Sequence, residues 1–111
     1  MRKGICAILT AMACIAFVAC VPSSVEKAKE KMKLEGYAVI GVQDYQGEGL
    51  VGGFSATKLE WDDADNLTAL LFSSKEDASN FYNNMSDTSR AFLDGKWVYW
   101  GTEDAIEDFK D

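Results

Sequence analysis

An uncharged, largely apolar run from Gly4 to Ala19, preceded by Arg2 and Lys3, separates the part of this chain that can fold from the part that addresses it. A basic start, a short apolar stretch and a small residue at its end make the layout of a secretory signal. Sixteen residues at about 1.5 Å each reach about 24 Å, short of the roughly 30 Å hydrocarbon core. The run therefore suits a cleaved signal better than a permanent membrane span.

The run closes on Phe17-Val18-Ala19-Cys20, which resembles the lipobox of bacterial lipoproteins. The resemblance implies cleavage before Cys20 and acylation of its thiol. Phe17 stands where that motif usually has leucine. Ala11-Met12-Ala13-Cys14 is a poorer second match, and ordinary cleavage near Ala19 without lipid is the alternative. A diacylated cysteine carries two chains, enough for stable anchoring. The expected division is a signal over 1–19, a lipid-anchor tether over 20–23 and one domain over 24–111. Three or four extended residues reach about 10–14 Å, so the domain is expected close against its membrane.

Once the signal is removed, 18 acidic residues face 9 basic ones, a net charge of −9. Nucleic acid is excluded as a partner, because its binding needs a basic footprint. The chain has no histidine, the commonest general base and metal ligand. Its three cysteines, Cys6, Cys14 and Cys20, all lie in or at the edge of the apolar run. No internal disulfide is then available to the 92 remaining residues, which suffice for one domain.

Along the mature part, Ser23 and Glu26 have the form of a capping box. Val25, Ala28 and Met32 share one helical face, and Gly36 is placed to end the helix. Lys27, Lys29, Lys31 and Lys33 point to more than one side and read as a solvated face, with anionic headgroups as the alternative. Residues 37–42 read as a strand and 43–53 as a polar, glycine-rich loop. Strands over 54–61 and 67–72 are expected to pair through Asp62-Asp63-Ala64-Asp65-Asn66. Ser73 and Glu76 predict a second helix start, with Ala78, Phe81, Tyr82 and Met85 facing a core. Asp94-Gly95 between Ala91-Phe92-Leu93 and Trp97-Val98-Tyr99-Trp100 is a strong hairpin signal. Thr102 is expected to cap a last helix lined by Ala105, Ile106 and Phe109. The fold class that follows is α+β: a two-layer sandwich with a mostly antiparallel sheet of four to five strands and three helices on one face.

The stretch Gly95-Lys96-Trp97-Val98-Tyr99-Trp100-Gly101-Thr102-Glu103-Asp104-Ala105-Ile106 resembles the tail of small lipoproteins predicted in Gram-positive bacteria. The Lys-rich helix ending in Gly36-Tyr37 and the helix start over Ser73 to Tyr82 are similar too. The resemblance implies an address and a fold, and no activity.

Candidate chemistry is sparse. Gly47-Glu48-Gly49-Leu50-Val51-Gly52 has the spacing G-x-G-x-x-G, but a dinucleotide site needs a helix to open directly after it. Asp62, Asp63, Asp65 and Asn66 offer oxygen ligands without the glycine and glutamate of a calcium loop, and read as a turn. No cofactor and no metal are expected, and no catalytic group stands out. The most specific feature is the aromatic strand. Alternation puts Val98 and Trp100 on one face and Trp97 and Tyr99 on the other. With helices on the Val98 face, Trp97 and Tyr99 become a candidate binding surface; a covering loop or Trp61 would instead make them core. The reading is a membrane-anchored, non-enzymatic binding module at the extracytoplasmic face. Its partners are membrane lipid through Cys20 and an envelope protein or glycan. The alternatives are an acidic inhibitor or protective protein against a cationic envelope factor and, third, a hydrolase.

Overall fold

The computed structural model describes residues 21–42, 44–60, 63–85 and 91–110. The elements run α1 (Val25–Leu34), β1 (Ala38–Gly41), β2 (Leu50–Glu60), β3 (Asp63–Phe72), α2 (Lys75–Asn83), β4 (Ala91–Asp94), β5 (Trp97–Gly101) and α3 (Glu103–Lys110). The strands form one antiparallel sheet in the order β1-β2-β3-β5-β4. The expected α+β class, five strands with three helices, is the one observed.

The helix ends follow local chemistry, with one shift. Both N-terminal helices begin after a Ser-Ser pair, and the second serine is the cap. Ser24 Oγ accepts from Lys27 N at 3.1 Å and Ser74 Oγ from Asp77 N at 3.1 Å, each serine having extended backbone. Ser23 and Ser73 are displaced from that role because a cap serves the amide three residues on. At the other end of α1, Gly36 takes φ +99°. This lets Gly36 N donate to Lys33 O and Tyr37 N to Met32 O, the double bond pattern of a Schellman ending.

Two strands are longer than the sequence pattern implies. Residues 50–53 join β2 through a bulge between Leu50 and Gly52. Asp63, Ala64, Asp65 and Asn66 belong to β3, paired with Glu60, Leu59, Lys58 and Thr57. The turn preference of Asp and Asn is overridden by ladder pairing and by Thr102, the residue that precedes α3. Lys58 faces Asp65, and Thr102 Oγ1 donates to Asp65 Oδ1 at 3.0 Å while accepting from Asn66 N. Thr102 thus ties α3 to β3 with its side chain, while its carbonyl accepts from Ile106 N.

The helices do not share a face. α1 and α3 cover one side, where Ala28, Met32, Ala105 and Phe109 pack on Phe54, Ala56, Leu67, Ala69, Trp97 and Tyr99. α2 covers part of the other, where Ala78, Phe81 and Tyr82 meet Leu70, Phe72, Val98 and Trp100. The expectation of three helices on one face is corrected on this point. Neighbouring residues of β3 and β5 are apolar on both sides, and two apolar faces need two covers.

Across the first face, Tyr37 Oη donates to Asp108 Oδ2 at 2.7 Å, with Asp108 only 1% exposed. Lys31 Nζ donates to Phe109 O at 2.9 Å. These bonds clasp α1 to α3 over the sheet.

Candidate functional site

Cys20 lies outside the described residues. The two residues after it do not, and both are held. Val21 packs against the first-face core. Pro22 offers its carbonyl oxygen to the Trp97 indole Nε1 at 2.7 Å. The expected tether over 20–23 is therefore docked from Val21 onward, at the end of the sheet where Trp97 pairs with Leu71 and Asp94.

The candidate surface at Trp97 and Tyr99 is overturned. Trp97 is 3% exposed and Tyr99 1%. The Trp97 ring stands edge-on to Phe109 at 5.1 Å and to Phe54 at 6.4 Å. Tyr99 packs on Phe109 at 4.9 Å and stacks on Phe92 at 5.6 Å. The cause is the helix placement: α1 and α3 cover the face that sequence alternation left open. Trp100, assigned to the helix-covered core, is half-buried on the α2 side and meets Tyr45 edge-on at 5.5 Å. Burial, then the charge of Asp94 and the 3.4 Å bond to its carboxylate, push the Tyr99 phenol above its usual range.

The glycine-rich stretch is a turn entering a strand, so no helix opens directly after its glycines. Gly49 takes φ +80°, and a Cβ there would meet the Asp77 carboxylate. Its carbonyl accepts from Ser73 N at 2.8 Å, which fixes the loop to the start of α2. Asp62 lies outside the described residues; Asp63 and Asp65 lie in β3 as above. Among the described residues no group of three acidic or sulfur-bearing side chains is placed to hold a metal ion. None of the described helices is long and apolar enough to cross a membrane.

The loop before β2 and helix α2 enclose a groove of about 520 Å³. Its walls carry the carboxylates of Glu48 and Asp77 and the amides of Gln46, Asn80 and Asn84, over the ring of Phe81. Asp77, Asn80, Phe81 and Asn84 fall three and four residues apart, so one side of α2 supplies them. Carboxylates, amides and an aromatic floor suit a ligand that donates hydrogen bonds and offers an apolar face. The volume lies within the range of small-molecule sites. No sequence pattern pointed here, because the groove joins segments some thirty residues apart. The amide spacing along α2 was the one available signal.

No family model matches this chain, and neither curated proteins nor solved structures gave a match.

Proposed function

We propose that this chain is an extracytoplasmic lipoprotein, anchored through Cys20, whose domain works as a non-enzymatic binding module held close to its membrane. The signal layout over 1–19 and the ending Val18-Ala19-Cys20 carry the address. The observation that supports it from the fold is the dock of Val21 and Pro22 on the core. Cys20 is one peptide from Val21, so an acyl chain there would join the domain almost without a leash. The kinship with small lipoproteins predicted in Gram-positive bacteria belongs to the same proposal.

Binding is preferred to turnover because of the groove's chemistry. Its lining is rich in acceptors and amides, and it pairs no nucleophile with a base. An envelope glycan or peptide is the class of partner it suits.

A second reading has its own observation. Glu60, Asp63 and Asp65 cluster at the end of the sheet opposite Trp97, beside Glu103 and Asp104 at the start of α3. In an anchored protein that acidic end would point away from the membrane. This favours the alternative role of an acidic inhibitor or protective protein against a cationic envelope factor.

Labelling with a fatty-acid analogue, followed by membrane fractionation, tests the address. The wild type should carry label and sediment with membranes, and Cys20→Ala should lose both. Label retained in Cys20→Ala would move the anchor to Cys14, and a wild type without label would remove it.

A further inference from the structure

The groove between α2 and the loop before β2 is graded along its helix wall. Asp77, Phe81 and Met85 line it at intervals of four, so a carboxylate, a phenyl ring and a thioether follow one another. Asn80 and Asn84 make a second row of carboxamides beside the first. From Asp77 to Asn84 the wall is about 10 Å long at the rise of a helix. These groups are held in place. Asp77 Oδ2 accepts from Ser73 Oγ at 3.3 Å, and Gly49 lies so close to the same carboxylate that a Cβ there would clash. The Phe81 ring rests on Phe72 at 5.2 Å, and a Cβ at Gly47 would come within 3.2 Å of its edge. Asn84 Nδ2 donates to Asn80 O at 2.9 Å, which leaves Asn84 Oδ1 to accept from a ligand. Glu48 adds a second carboxylate from the loop side. Among the described residues no lysine or arginine lines the groove.

We propose that this groove takes the long cationic side chain of a peptide, a lysine or an arginine, with its stem along Met85 and Phe81 and its charged head at Asp77 and Glu48. This rests on the groove being the site of the proposed binding module, and it chooses peptide over glycan. The first ground is the grading. A carboxylate followed by an apolar stretch matches a charged head on a methylene stem, which buries the stem and keeps the head among polar groups. The ring between the two ends adds attraction for a cation over its face. A sugar ring, with hydroxyls on every edge, has no such gradient. The second ground is charge. Two carboxylates with no cation beside them in the lining, in a chain of net charge −7, draw in a positive group. The third is the set of amides. Gln46, Asn80 and Asn84 offer donors and acceptors together, the pair that each peptide group also carries. They serve the backbone on either side of the bound side chain, which a free polyamine lacks.

Anisotropy of a fluorescently labelled tetralysine, titrated with the full chain purified in a neutral detergent, tests this. The wild type should bind the peptide, with affinity falling as salt rises. Asp77→Asn should weaken binding roughly tenfold, the scale of one hydrogen bond to a charged group. Asn84→Ala, at an exposed position, should weaken it less, and it keeps the test open should Asp77→Asn fail to fold. Glu103→Gln, at the start of α3, should leave binding unchanged. Tetralysine acetylated on its side-chain amines should not compete, and spermine should compete only weakly. A loss in Glu103→Gln equal to that in Asp77→Asn, full competition by the acetylated peptide, or spermine bound more tightly than the peptide would each overturn the proposal. Chitotriose bound in place of the peptide, and lost in Asp77→Asn, would overturn the peptide and keep the binding module. Capture of none of these probes would overturn the proposal and leave the groove without a role.

Discussion

The indole Nε1 of Trp97 donates a 2.7 Å hydrogen bond to the carbonyl oxygen of Pro22, joining the residues that follow Cys20 to β5. The ring that makes this bond is also wedged between Phe54 and Phe109. One side chain therefore serves both the core and the segment that leads back to Cys20. Trp97→Ala should cost about 3–5 kcal/mol, the range for a large buried aromatic. Trp97→Phe keeps most of the packing and strands the Pro22 carbonyl, for a cost of about 1–3 kcal/mol. Trp100→Ala should cost less than Trp97→Ala, because Trp100 is only half-buried. Denaturant midpoints at constant slope check the order; Trp100 costing more would contradict the helix placement.

The bond from Tyr37 to Asp108 joins the residue after α1's glycine ending to the buried side of α3. Tyr37→Phe removes one hydroxyl from a buried, carboxylate-bound site. The expected loss is about 1.5–3 kcal/mol, the scale of a hydrogen bond to a charged group. Hydrogen exchange should show α3 opening more often in Tyr37→Phe, with the β2–β3 ladder less affected. Uniform loosening of both would contradict the role of this bond as a local clasp.

Much of this architecture is legible in residues whose conformation has a narrow cause. Asp94-Gly95 predicts the β4–β5 hairpin because its turn needs positive φ, and Gly95 takes +64°. Gly36 marks a helix end for the same reason. Helix α2 shows in the spacing of Ala78, Phe81, Tyr82 and Met85. What alternation alone left open was which face each helix would cover. Leu70, Leu71 and Phe72, then Trp97 through Trp100, are apolar at consecutive positions, so both faces called for cover. Reading one face as open made Trp97 and Tyr99 a surface when they are core. The groove was hidden for another reason: Glu48 and Asp77 come to line one groove only after the loop folds against α2, a juxtaposition with no local pattern.

Tyr99 makes the alkaline limb of stability testable. Its phenol is held above the ordinary value of about 10, first by burial and then by Asp94. The folded state thus keeps a proton that the unfolded chain gives up. The associated stability is intact below about pH 10 and falls as pH rises beyond it. Tyr99→Phe should flatten part of that decline. In a phenolate absorbance titration of the folded protein, Tyr99→Phe should remove a component that ionises above about pH 10. A titration curve that Tyr99→Phe leaves unchanged above about pH 10 would contradict that shift.

Asp63 and Asp65 sit in the β3 ladder, and Asp65 is already engaged by Thr102. Melting of the mature protein should therefore be indifferent to EDTA. A melting temperature that falls with EDTA and recovers with calcium would show that these aspartates hold a cation after all. Thr102→Val should instead lower the melting temperature by releasing α3 from β3, with or without the chelator.

The anchor at Cys20 is tested most directly by the intact mass of the mature protein extracted from membranes. The account predicts a chain beginning at residue 20, heavier than residues 20–111 by a diacylglyceryl group on the cysteine, with that added mass confined to the N-terminal peptide. An unmodified N-terminus near Val21, a modified chain beginning at Cys14, or an uncleaved chain retaining Arg2 and Lys3 would contradict it.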